Sequence, residues 1–171
     1  MKRLQLLAFA AIALSSSCTV TEPYETKSAD QYCNDLNALI GAYDNHFDSL
    51  KGSKSDTKRM DIWKAKRHLV GDDCEIWGWG YGKTDYICSH SFPTEAIARE
   101  TYVKVQASVK QCLGDNWAMH ERPRKLGNGD KSWFQQDKAL PIVSVHIVET
   151  AGVFSSAWSA YIFVGDPSDS L

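Results

Sequence analysis

The sequence has no excess of basic residues and no apolar run long enough to cross a membrane. Its 171 residues include 19 Lys and Arg against 21 Asp and Glu, so the composition does not provide the cationic surface that binds a nucleic-acid backbone. The apolar run near the N-terminus, Leu4 to Leu14, would extend only about 16 Å as a helix, roughly half of a bilayer core. We therefore expect no nucleic-acid partner and no transmembrane anchor.

Motifs that carry catalysis or bind a metal are also missing. The sequence contains no G-x-S-x-G, H-E-x-x-H or phosphate-loop motif, and its five cysteines include no C-x-x-C pair. Ser55 and Lys58 have the S-x-x-K spacing of penicillin-binding enzymes, but the S-D-N and K-T-G partners are absent. The five histidines are scattered, and His146, on the polar side of an apolar strand, is the one candidate among them for chemistry. These absences favour a non-enzymatic protein with no metal and no cofactor; the alternative is a hydrolase with an unrecognised site at His146 or at paired carboxylates.

The first residues have the composition of an export signal. Two basic residues precede the apolar run and the small residues Ser15 to Ser17 follow it, so we predict a signal peptide over residues 1–17. Cys18 comes next, at the position where bacterial lipoproteins carry their acylated cysteine, although Ser15 stands where the lipobox usually has Leu. We expect a lipid on Cys18, with cleavage to a soluble exported protein as the alternative, and a polar tether over residues 18–27.

The remaining residues, 28–171, combine two helical patterns with strand-like segments. One apolar period of three and four residues runs from Ser28 to Leu50, about six helical turns, and the other follows Pro93 and ends at Gly114. This order predicts a single α+β domain of two layers, a mostly antiparallel sheet carrying two amphipathic helices. The predicted strands are Ile62 to Leu69, Asp73 to Trp77, Thr84 to His90, Ser132 to Gln136, Ile142 to Glu149 and Trp158 to Val164, and the segments 51–59 and 115–130 are predicted loops.

The cysteines predict that this domain is stapled by disulfides. Setting Cys18 aside leaves four, an even number that can form two bonds without a free thiol. A hairpin of the second and third predicted strands places Cys74 opposite Cys88 on the core face. That leaves Cys33 and Cys112, one on each helical pattern, for the second bond, while the two other pairings remain formally open. Such disulfides are typical of exported proteins.

The same hairpin carries the most distinctive surface feature of the sequence. Trp77 is predicted on its outer face, and Trp79 and Tyr81 in its glycine-rich tip. Exposed Trp and Tyr side chains are enriched where proteins bind one another, because they bury a large area at low entropic cost. The alternative is that a neighbouring loop, such as the segment 115–130, covers these rings. The predicted partner-binding site also includes a rim of acidic residues, Asp72, Asp73, Glu75 and Asp85.

The export signal, Cys18 and the disulfide-bearing α+β domain together resemble, in architecture only, small bacterial envelope lipoproteins, among them periplasmic inhibitors and immunity proteins. No residue-level motif carries this resemblance, so it transfers no functional residue. It implies a binding protein on the periplasmic side of the cell envelope, attached to the membrane through the Cys18 lipid, whose partner is an envelope protein or a toxic effector. The alternative within the same compartment is an accessory, pilotin-like lipoprotein of a secretion or assembly machine, which would bind through an apolar groove or a free sheet edge.

Overall fold

A computed structural model of the chain describes residues 27–55, 57, 60–80, 82–151 and 156–166. The predicted signal peptide, Cys18, the tether up to residue 26 and Tyr81 lie outside these described residues. Within them the chain forms two α-helices and eight strands. They are α1 (Ala29–Ala42), β1 (Lys51–Ser55), β2 (Asp61–Ala65), β3 (Asp73–Gly78), β4 (Thr84–Phe92), α2 (Glu95–Leu113), β5 (Ala118–Pro123), β6 (Asp130–Gln135), β7 (Ile142–Ala151) and β8 (Ser156–Gly165).

The eight strands form one sheet in the order β1-β2-β3-β4-β8-β7-β6-β5, and every neighbouring pair is antiparallel. Helix α2 lies across β4, β8 and β7, and α1 lies beside α2. The helices therefore form one layer and the sheet the other, which confirms the predicted α+β architecture. We call the sheet face under the helices the inner face and the opposite one the open face.

Side-chain alternation decides which strand residues lie between the two layers. Cys74 faces Cys88 and Ile76 faces Tyr86 across the β3–β4 pair, as predicted, and all four side chains are buried on the inner face. Because burial of apolar area is the main favourable term in folding, this alternation fixes the register of the hairpin. The rest of the core includes Leu36, Leu39, Ala98, Tyr102, Val105, Val109, Val143, Val145, Ile147, Ile162 and Val164.

The first helix is shorter than its sequence pattern predicts. Ser28 caps its start by accepting a backbone N–H at 3.3 Å, but α1 ends at Ala42 and does not continue to Leu50. His46 and Phe47 adopt left-handed backbone conformations, with φ of 54° and 57°, and the chain forms two short 3₁₀ turns there. Phe47 and Leu50 are buried all the same. The apolar pattern that predicted a longer helix therefore includes residues of the two 3₁₀ turns, which also point into the core.

Two segments predicted as loops contain the edge strands of the sheet. β1 takes up most of the first and pairs with β2 across a bulge, and β5 lies within the second and pairs with β6. Both were missed because edge strands with solvated faces need few apolar residues. The predicted strand from Ile62 also ends early, at Ala65, and the chain then turns so that Leu69 and Val70 are buried in the core.

Both predicted disulfides are present. Cys33 on α1 bonds to Cys112 on α2 across a sequence separation of 79, and Cys74 on β3 bonds to Cys88 on β4 across 14. One bond therefore joins the two helices and the other joins neighbouring strands. Since disulfides of this kind persist in oxidising surroundings, the chain belongs to a non-cytoplasmic compartment. In the described part of the chain, no helix combines the length and apolarity needed to cross a membrane.

Candidate functional site

The β3–β4 hairpin presents two tryptophans at one end of the sheet. Trp77 lies opposite Asp85 on the open face, and Trp79 follows β3 in the turn, where its backbone N–H donates to the carbonyl of Lys83 at 2.9 Å. The two indole rings meet edge to face with their centroids 5.4 Å apart, a favourable aromatic geometry. We call Trp77 and Trp79 the hairpin tip. The third predicted member, Tyr81, lies outside the described residues.

Each indole of the hairpin tip is held by a carboxylate. Trp79 Nε1 donates to Asp85 Oδ2 at 2.6 Å, and Trp77 Nε1 donates to Glu75 Oε2 at 2.9 Å. Trp79 is 38% exposed, whereas Trp77 is half-buried. The ring of Trp79 is therefore fixed at its polar edge and partly exposed to solvent, so it would lose little conformational entropy on binding.

Asp85 was predicted to belong to a solvated acidic rim, but in the structure it is buried. It is 7% exposed, and besides Trp79 it accepts the backbone N–H of Asp166 through Oδ1 at 2.8 Å. Burial raises the pKa of the Asp85 carboxyl above its usual value, while the hydrogen bonds from Asp166 and Trp79 act in the opposite direction. The prediction was wrong because β8 lies beside β4, and sequence adjacency does not reveal that neighbour. Asp85 is a support for Trp79.

The other acidic residues of the predicted rim lie away from Trp79. Asp73 begins β3 and is exposed, roughly 16 Å along the strand from the turn, and Asp72 precedes it. Lys64 Nζ on β2 lies 3.3 Å from Asp73 Oδ1 and 3.1 Å from Glu75 Oε1. Of the predicted acidic residues, Glu75 and Asp85 contact the hairpin tip directly.

The segment 115–130 does not cover the hairpin tip. It contains β5, which forms the far edge of the sheet, and four strands separate β5 from β3. The exposed fraction of Trp79 agrees with this separation. The segment 115–130 is therefore not the loop that would cover these rings.

His146 lies on the open face, but its geometry does not provide a catalytic base. Its side chain is fully buried; Arg124 Nη1 lies 2.7 Å from Nδ1, and Ser144 Oγ lies 3.1 Å from Nε2. A guanidinium only donates, so Nδ1 accepts, and Nε2 carries the proton and donates to Ser144. Burial, then the charges of Lys131 and Arg124, lowers the pKa of His146 to about 2. In this pair the histidine therefore donates its proton to the serine, whereas a catalytic serine donates its proton to the histidine that acts as its base.

Carboxylates also meet at the start of α2, in an open cleft of about 470 Å³. Arg99 donates to Glu95 at 2.8 Å and to Asp130 at 2.7 Å, and Asn128 donates to Glu149 at 2.6 Å. Each carboxylate is thus engaged by a donor of the chain. The cleft is lined by Glu95, Arg99, Asn128, Gly129, Asp130, Glu149 and Trp158.

Sequence reasoning missed a set of aromatic and basic residues on the open face. His120 stacks on Trp133 with centroids 5.0 Å apart, and the guanidinium of Arg122 lies 5.4 Å from the same ring. Tyr161 and Phe163 lie parallel on β8, 6.2 Å apart. Alternation within each strand could have assigned these residues to one face, but only the strand order brings them together.

Comparison with protein-family models, with curated proteins and with solved structures finds no match.

Proposed function

We propose that the protein is an exported binding protein of the bacterial cell envelope, anchored through a lipid on Cys18, which acts as an inhibitor or immunity protein against a protein partner. The observation that carries the proposal is the exposed Trp79, held in place by the buried carboxylate of Asp85. A rigid, partly exposed indole at the end of a hairpin is typical of the anchor residues of protein interfaces.

The compartment supports the proposal. Two disulfides match an oxidising environment, and the N-terminal residues have the order of a signal peptide followed by Cys18. Attachment through an acyl chain on Cys18, with the polar residues up to 27 as a tether, would hold the domain on the periplasmic side of a membrane.

The sheet edges favour this proposal over an accessory lipoprotein that binds by adding a strand. β1 has the sequence KGSKS and a bulge, and β5 carries the charged residues Glu121 and Arg122 and ends at Pro123. Lysines, bulges and edge prolines are the devices by which proteins prevent pairing at a free edge.

The first test is a pull-down from envelope extract with the full chain carrying Cys18→Ser, followed by affinity measurement with the purified partner. We expect the pull-down to yield a stoichiometric protein partner. The Kd of its complex with the Trp79→Ala variant should be at least about 30-fold higher than with the parent chain, because truncation of a central indole usually costs about 2 kcal/mol of binding free energy. Asp85→Asn should weaken binding by less, because the indole remains while its support changes.

The matched control is Val103→Ala, which truncates another exposed apolar side chain, on α2. Its affinity should equal that of the parent chain. Unchanged affinity of Trp79→Ala would contradict the role of the hairpin tip, and the absence of a protein partner would contradict the proposed function.

A further inference from the structure

The open cleft at the start of α2 lies apart from the hairpin tip. Trp158 of its lining pairs with Phe92, at the opposite end of β4 from the turn that carries Trp79. The volume of the cleft, about 470 Å³, lies within the range of small-molecule sites, about 300–1,000 Å³. The proposed function gives this cleft no role, so it can serve a second ligand.

The polar side chains of the cleft hold one another in place and still face solvent. Arg99 joins Glu95 to Asp130, and these three side chains are 44%, 50% and 30% exposed in that order. On the side of the sheet, Asn128 holds Glu149 by its hydrogen bond. Hydrogen-bonding groups that are fixed in this way lose little conformational entropy when a ligand binds.

Each carboxylate of the cleft has one oxygen available to a ligand. The hydrogen bonds from Arg99 and Asn128 engage Glu95 Oε1, Asp130 Oδ2 and Glu149 Oε2. In the described part of the chain, no donor reaches the second oxygen of any of these three carboxylates. Because an ionised carboxylate only accepts, a ligand of the cleft is expected to carry several hydrogen-bond donors.

Trp158 supplies an apolar surface beside these acceptors. It is half-buried, packs against the core and is paired with Glu149 across the β7–β8 ladder. Side chains that are paired across two antiparallel strands have their Cβ atoms about 4.5–5.5 Å apart. A ring that packs on the indole of Trp158 therefore brings the polar groups at its edge within reach of Glu149.

We propose that the cleft binds a sugar ring of a glycan. Hydroxyl groups both donate and accept, so they can bond to the free carboxylate oxygens and to the N–H groups of Arg99 and Asn128, while the C–H face of the ring packs on Trp158. Three carboxylates against one guanidinium make the lining negative, which disfavours an anionic ligand. A polyamine would only donate, and its charge would lie next to Arg99.

Saturation-transfer difference NMR of the full chain with Cys18→Ser tests the proposal with glucose, galactose, mannose and N-acetylglucosamine, and with spermidine as the polyamine. We expect saturation of at least one sugar, strongest at the hydrogens of one ring face, with a Kd in the millimolar range because the cleft is open. Trp158→Leu and Glu149→Gln should each raise this Kd at least about fivefold, since the first removes the indole surface and the second removes a charged acceptor.

Glu100→Gln, which changes an exposed carboxylate of α2 outside the cleft, is the matched control and should bind the sugar like the parent chain. Trp79→Ala should also retain sugar binding, because the hairpin tip is not involved. Glu149→Gln keeps the size of the side chain, so its result stands even if Trp158→Leu does not fold. No saturation of any sugar, a Kd unchanged in Glu149→Gln, or saturation of spermidine alone would each overturn the proposal.

Discussion

His146 is held neutral in the folded chain by its neighbours. The ring is fully buried, and Lys131 and Arg124 bring positive charge close to it. A proton on this ring would place a further cation in an already cationic, low-dielectric site. The residue therefore acts on stability through pH.

We predict that the free energy of unfolding falls as the pH decreases below about 6.5. The unfolded chain binds a proton on His146 near its ordinary pKa of 6.5, whereas the folded chain does so only near a pKa of about 2. Between these values the unfolded state holds more protons, so His146 costs at most about 1.4 kcal/mol of stability per pH unit.

Urea unfolding of His146→Gln at several pH values between neutrality and about pH 4.5 measures this contribution, and the variant should lose less stability than the parent chain. His120→Gln, which replaces an exposed histidine, should follow the parent profile. Parallel profiles for parent and His146→Gln would show that the buried ring does not set the acid sensitivity.

At the scale of the elements, two glycines have opposite roles. Gly129 has a φ of 127°, and a Cβ there would lie against the backbone carbonyl of Ile147 on β7. Gly41 lies near the end of α1, and a Cβ there would meet nothing within 4 Å. Gly129 is needed because two backbones approach each other closely there. Gly41 lowers the stability of the helix, and no neighbouring atom requires a glycine at that position.

Alanine should therefore act in opposite directions at these two positions. We expect Gly129→Ala to lower the free energy of unfolding by at least about 2 kcal/mol, because the strained backbone and the clash act together. Gly41→Ala should raise it by about 0.5 kcal/mol through helix propensity. Equilibrium urea unfolding measures both, and a neutral Gly129→Ala would contradict the close approach of its loop to β7.

For the whole molecule, the disulfides and the N-terminal segment make one joint prediction. If residues 1–17 direct export, the chain with Cys18→Ser should contain no reactive thiol when made in bacteria, because its four remaining cysteines are paired. The same chain without residues 2–17 should stay in the reducing cytoplasm with four free thiols.

The free thiols of each chain can be counted by quenching cells with acid and labelling the denatured protein with a maleimide of high mass. Each labelled thiol then slows the chain on a denaturing gel. Dithiothreitol-treated samples of both chains provide the fully reduced reference. Equal thiol labelling of the two chains before reduction would argue against the export role of residues 1–17.

The sequence by itself determined the parts of this protein that depend on local periodicity. The alternation of side chains placed Cys74 and Ile76 on one face of β3 and so predicted the register of the hairpin. The helical apolar stripes placed Cys33 and Cys112 in the same core, where they form a disulfide. Tertiary structure alone showed that α1 ends at Ala42, because Phe47 and Leu50 continue the apolar period but are buried from the 3₁₀ turns that follow, where residues 46 and 47 are left-handed. It also placed β8 beside β4, which buries Asp85, and β5 at the far edge, which leaves Trp79 exposed. Strand order is set by contacts between residues far apart in the chain, and no local pattern encodes it.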